Sequence, residues 1–135
     1  MQGRIKISSK KPAYRKYETL LKKRASILLK ILGRKGKALD IRISNAAEIR
    51  ALNKKFLHKK GPTDVLAFDT GDIAICFDAA VTQAKKFNNT ILDELSLYLI
   101  HGILHLLGYD HKNLKQKAQM EKIQERMLLR CKDVR

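Results

Sequence analysis

The sequence predicts an α/β (α+β) fold: one compact domain over residues 1–135, with a small mixed sheet of about four strands packed with about five helices. Three observations carry this. A length of 135 residues suits one domain with a real core. Short stretches of apolar/polar alternation are interleaved with longer stretches of 3.6-residue periodicity. No internal repeat, linker or low-complexity run divides the chain.

Taken in order, Ile5 and Ile7 alternate with Arg4 and Lys6, a first strand. Pro12 suits the start of a helix. Tyr17, Leu20, Leu21, Ile27, Leu28 and Ile31 continue that helix as an apolar stripe, which Gly33 and Gly36 end. Leu39, Ile41 and Ile43 alternate with Asp40 and Arg42, a second strand. Ser44 or Asn45 then caps a helix reaching to about Phe56. Gly61-Pro62 breaks the chain. Strands Val65–Phe68 and Asp72–Phe77 follow, joined by a tight turn at Asp69-Thr70-Gly71. Asp78 is expected to cap a helix to about Phe87. Thr90 caps the next, with Asp93 and Glu94 in its first turn, where the helix dipole favours acids. That helix is apolar nearly all round to Leu107 and should be buried. A last amphipathic helix, Leu114 to Arg130, puts Met120, Ile123 and Met127 on one face.

Charge is distributed unevenly. The formal net charge is +16, which favours a polyanionic partner. Residues 1–37 hold 13 Lys and Arg against the single acid Glu18, whereas residues 61–111 hold two Lys against seven acids. A protein that grips an RNA backbone with one surface and presents a metal at another has this layout. The start of the chain lacks the apolar core of a signal peptide, and no apolar run is long enough to span a bilayer. Cys76 and Cys131 make no metal-type pair. The expectation is therefore a cytoplasmic protein without a membrane partner.

The chemistry concentrates at His101-Gly102-Ile103-Leu104-His105-Leu106-Leu107-Gly108-Tyr109-Asp110-His111. His101 and His105, four apart, project from one face of a helix. Gly108 can take the positive φ that ends it and turn His111 in as a third ligand. Three neutral imidazoles suit Zn2+, one per chain, or another first-row divalent metal, and leave a coordination position open. The spacing is that of the metzincin proteases, but Gly102 stands where their catalytic Glu would be, which argues against peptide hydrolysis. Glu94, two helical turns before His101, can hold a ligand imidazole in its tautomer or be simply a helix-N-terminal acid.

These residues resemble the YbeY family of bacterial rRNA maturation factors, which are metal-dependent endoribonucleases. The resemblance runs from about Leu52 to Met120. It rests on Leu52-Asn53, Pro62-Thr63-Asp64-Val65-Leu66-Ala67-Phe68, Gly71-Asp72-Ile73 and the whole segment His101 to His111. Glu94 and Met120 also fall where the family has Glu and Met. The resemblance implies zinc held by His101, His105 and His111, and single-strand-specific cleavage of RNA, chiefly rRNA. It further implies a part in maturation of the 3′ end of 16S rRNA and in ribosome quality control, in contact with the small ribosomal subunit and its proteins. The chain has Leu57 where the family carries an Arg, Lys60 where it often has Asp, and Ala67 where Ser is usual.

Phosphodiester cleavage needs a proton acceptor and cations for the developing negative charge. With Gly at 102, Asp64 and Asp110 are the motif carboxylates that can accept, although a capping role suits Asp64 equally well and a turn role suits Asp110 better, and a metal-bound hydroxide acting without a protein base is the other route. Lys54, Lys55, His58, Lys59 and Lys60, together with Lys22, Lys23 and Arg24, are the candidates for gripping the backbone. A non-catalytic, zinc-stabilised rRNA-binding assembly factor is the alternative.

Overall fold

A computed structural model describes residues 4–57, 63–109 and 113–132. Strand β1 (Ile5–Ser9) leads through a 3-10 turn (Pro12–Tyr17) into helix α1 (Glu18–Ile31). Then come β2 (Leu39–Ser44), α2 (Ala46–Leu57), β3 (Val65–Ala67), β4 (Asp72–Cys76), α3 (Phe77–Lys86), α4 (Ile91–Leu106) and α5 (Leu114–Lys132). The four strands form one mixed sheet in the order β1-β2-β4-β3. The first three are parallel, with Ile7 opposite Ile41 and Ile41 opposite Ile73; β3 runs antiparallel to β4, with Leu66 opposite Ala74. The predicted fold class and the order of elements both hold. No helix among the described residues is long and apolar enough to cross a membrane.

Alternation along the strands sends Leu39, Ile41, Ile43, Ile73 and Ile75 to one face, which α1 and α4 cover, with α5 packed on those two helices. Helix α4 is buried nearly all round, as its composition requires. The other face carries Asp40, Arg42, Ser44, Ala74 and Cys76 and is covered chiefly by α2 through Ile49 and Leu52. Cys76 and Cys131 are free and buried.

Two expected caps are in place. Asn45 Oδ1 accepts from Glu48 N at 2.9 Å, and Thr90 Oγ1 accepts from Asp93 N at 3.0 Å. Asp78 is a correction. Because α3 begins directly out of β4 at Phe77, Asp78 lies inside its first turn and instead accepts from Ala46 N at 2.7 Å, at the start of α2. Arg24 is a second correction. It is buried, donating to Asp93 Oδ1 at 3.1 Å and Ser96 Oγ at 2.7 Å, while Lys132 Nζ reaches Asp93 Oδ2 at 2.8 Å. An amphipathic stripe with a cation beside it reads as a solvated helix edge, but here the cation is the internal tie of α1 to α4.

Candidate active site

At the β3 edge of the sheet, α2, α4 and α5 enclose a groove of about 730 Å³. Helix α4 supplies one wall through Glu94, Tyr98, His101 and His105, a single stripe at helical spacing. Asn53 and Leu57 of α2 form the opposite wall, Asp64 to Ala67 run along β3, and Glu121, Gln124 and Glu125 of α5 close the end. His101 is half-buried and His105 exposed.

The imidazole of His101 is held in place from α5: its Nδ1 lies 3.0 Å from Gln124 Oε1. An amide oxygen accepts, so Nδ1 is the donor in this pairing. Gln124 is four residues beyond Met120 and three before Met127, both buried, so the packing of α5 aims it. Glu94 is buried and accepts from Asn89 Nδ2 at 3.1 Å. Asp64 reaches solvent, but the protein atoms around its carboxylate raise its pKa through desolvation, with the His101 charge drawing it back down. The Tyr98 hydroxyl is buried with no hydrogen-bond partner among the described residues, and burial pushes its pKa upward, reinforced by Asp64 and Glu94.

Gly102 has a packing role as well as a chemical one. A Cβ built there would sit 3.0 Å from Ile73 Cγ2 and 3.4 Å from Val65 Cγ2. The missing side chain lets α4 lie close against the sheet, and a Glu would be driven into those methyl groups. Gly108 has φ +94° and ends α4, as expected.

The groove therefore brings together His101, His105, Glu94 and Asp64. Lys54 and Lys55 are exposed on the last turn of α2, beside the groove-lining Asn53 and Leu57. Lys22 and Lys23 are exposed on α1, which contributes nothing to the groove lining, and Arg24 is committed to Asp93. His58, Lys59, Lys60, Asp110 and His111 lie outside the described residues. Sequence reasoning did not single out Gln124 or Tyr98. Tyr98 had a readable signal, four residues after Glu94 and three before His101; Gln124 had only its place beside an apolar stripe.

Among the described residues lining the groove, four are acidic and none is Lys or Arg. Such a lining repels an anionic polymer and attracts a cation. Among the described residues the donors are two imidazoles one helical turn apart, one of them held by Gln124 through Nδ1, and no group of three or more His, Cys, Asp or Glu there could hold a metal ion.

A family model described as endoribonuclease YbeY matches residues 4–132, extending the resemblance over the basic N-terminal third and the last helix. Curated proteins described as endoribonuclease YbeY include one from Aquifex aeolicus, 36% identical over 121 residues, covering 82% of this chain and 79% of that one. Another, from Anaeromyxobacter sp., is 35% identical over 126 residues, covering 86% and 66%. A third, from Solibacter usitatus, is 42% identical over 93 residues, covering 64% and 63%. The matches to the last two span just under two thirds of those relatives' own length. The solution structure of a Thermotoga maritima protein matches with a TM-score of 0.66 at 30% sequence identity, over 94% of this chain and 88% of that one. With a family model matching almost end to end and relatives above 30% identity, the chain belongs to the YbeY endoribonuclease family.

Proposed function

We propose that this chain is a metal-dependent endoribonuclease that cuts single-stranded RNA, with rRNA of the small ribosomal subunit as its substrate and zinc as the ion. The observation that carries the reading is the pairing of His101 and His105 on one face of α4, with Gln124 holding Nδ1 of the first, in a groove whose other charged groups among the described residues are carboxylates. Membership of the YbeY family supports the reaction class, and the resemblance of the His101–His111 segment supports the rRNA substrate and the part in ribosome maturation.

His101 and His105 would hold the ion, with His111 as the third donor that the motif supplies. When bound, it contributes Lewis acidity toward a phosphoryl oxygen. The chain's own residues do the rest. Gln124 fixes the ring of His101, and Asp64, on the β3 side of the groove, accepts a proton at its carboxylate. Tyr98 has a hydroxyl hydrogen to offer to a phosphate oxygen from the α4 wall. Lys54 and Lys55 hold the backbone at the rim, since the described residues of the lining include no Lys or Arg. Leu57 in that lining gives the non-catalytic assembly-factor reading its one specific support.

The test is incubation of metal-quantified protein with single-stranded RNA, beside a His101→Ala/His105→Ala variant of matched thermal stability. Wild-type cleavage should fall by about 10³-fold or more in the variant, as expected for loss of several kcal/mol of Lewis-acid stabilisation. Tight RNA binding with no cleavage by the metal-loaded wild type would replace this reading with the assembly factor.

A further inference from the structure

Helix α2 separates two cavities. Asn53 and Leu57 face the acidic groove; Leu52 and Phe56, one position earlier on each turn, face a second cavity of about 520 Å³ on the thinly covered face of the sheet. We propose that this second cavity seats one nucleobase of the single-stranded RNA whose backbone is held at the rim of the groove. The proposal rests on the endoribonuclease reading and adds to it a place where the strand is held by a base.

The lining has the chemistry of a base site. Phe56 is 53% exposed, and it is set edge-on against Phe68 with ring centroids 5.9 Å apart. Arg42 lies in the same lining. Its guanidinium is pinned by Glu48 through two hydrogen bonds, Nε to Oε1 at 2.7 Å and Nη2 to Oε2 at 3.3 Å, and by Ser8 Oγ at 3.3 Å. With its charge matched by Glu48, it offers a fixed plane more than an open cation. Bases stack on aromatic rings and on Arg planes of this kind.

Charge decides which part of the strand enters. Asp40 and Asp72 are cross-strand partners and both line the cavity. Their carboxylates turn away a phosphate and accept hydrogen bonds from the N–H groups on a base edge. The cations stand outside, on α2: Arg50, Lys54 and Lys55 are exposed, and Lys55 Nζ is 5.2 Å from the Phe56 ring centroid. A strand crossing α2 from the groove thus meets cations along its phosphates and an aromatic, acceptor-lined recess for its base. A duplex has no free base to give.

The chain contains no Trp, so a Phe56→Trp variant carries a single indole, placed in the cavity. The full-length variant is titrated with a dye-labelled single-stranded RNA of mixed sequence, under chelator to prevent cleavage. Anisotropy of the dye reports binding and indole emission reports stacking. The expected result is quenching that saturates together with the anisotropy, and no quenching by the same sequence as a duplex. Phe56→Ala, at an exposed position, should fold normally and bind the single strand about tenfold more weakly, the loss of one base–aromatic stack. Full anisotropy with unchanged indole emission, or unchanged affinity in Phe56→Ala, overturns the base seat and leaves the ribonuclease reading standing. No binding of single-stranded RNA by the wild type overturns both.

Discussion

The two faces of the sheet differ in kind. On the face under α1 and α4, the five aliphatic side chains Leu39, Ile41, Ile43, Ile73 and Ile75 are none of them more than 2% exposed. On the other face the same strands present Asp40, Arg42, Ser44, Asp72 and Ala74, and α2 covers only part of them. Each face also has an ion pair. Arg24–Asp93 has side chains 10% and 6% exposed, whereas Arg42–Glu48 has side chains 39% and 20% exposed. The lesson concerns division of labour. The densely packed face fixes α4, and through it the histidines; the thin face stays open enough to leave a cavity. The groove forms at the β3 edge, where the two coverings meet.

Removing one partner of each ion pair should expose the contrast most strongly. Asp93→Ala leaves Arg24 buried without its carboxylate and should cost about 3–5 kcal/mol. Glu48→Gln, at the more exposed pair, should cost about 1 kcal/mol or less. Urea unfolding of the two variants measures this directly, and equal losses would break the comparison. The apolar version comes next. Ile75→Ala on the packed face should cost about 2–5 kcal/mol, while the half-buried Leu52→Ala on the other should cost about 1 kcal/mol, because a site open to solvent leaves little cavity.

The packed face was also the legible one. Ile5/Ile7 and Leu39/Ile41/Ile43 announce their strands by period and α4 announces its burial by its apolar composition, and His101 and His105 ride on that helix. The miscast residues were polar ones near apolar stripes. Arg24 sits between Lys23 and Ala25 and looks like another surface cation; only the long-range approach of Asp93, 69 residues away, makes it internal. Asp78 has the residue type of a cap, yet α3 starts two residues too early for it. Gln124 has no local signal at all, since its partner is 23 residues away on another helix. Side-chain partners set by tertiary approach are invisible to a pattern that reads only neighbours.

Acid should sharpen the comparison further. Asp93 is held below its ordinary value of 3.8: burial opposes this, but hydrogen bonds from Lys132 and Arg24 prevail. Glu48 is held below 4.5, first by its hydrogen bond with Arg42. A carboxylate with a lowered folded pKa adds stability that is whole above its unfolded pKa and lost as pH falls through the folded one. Unfolding free energy should therefore decline on acidification below about pH 4.5. Asp93→Asn should flatten that decline more than Glu48→Gln, because solvent screens the more exposed pair. Denaturant titrations at several pH values check this, and identical slopes in both variants would count against assigning the greater weight to the buried pair.

A small net effect is expected at Gly102, where two terms compete. Ala is better than Gly inside a helix by about 1 kcal/mol. Against this, the new Cβ would stand 3.0 Å from Ile73 Cγ2, on a face whose side chains are already close-packed and cannot yield cheaply. Overpacking of that kind costs about 1–3 kcal/mol, so Gly102→Ala should destabilise by about 1 kcal/mol net. The informative readout is the histidine pair. If α4 must lift from β3 and β4 to admit one methyl group, His101 moves with it while Gln124 stays on α5, and the 3.0 Å contact lengthens. RNA cleavage should then fall further than the small loss of stability accounts for. A variant that is more stable than the wild type and equally active would mean that the packed face yields as readily as the thin one.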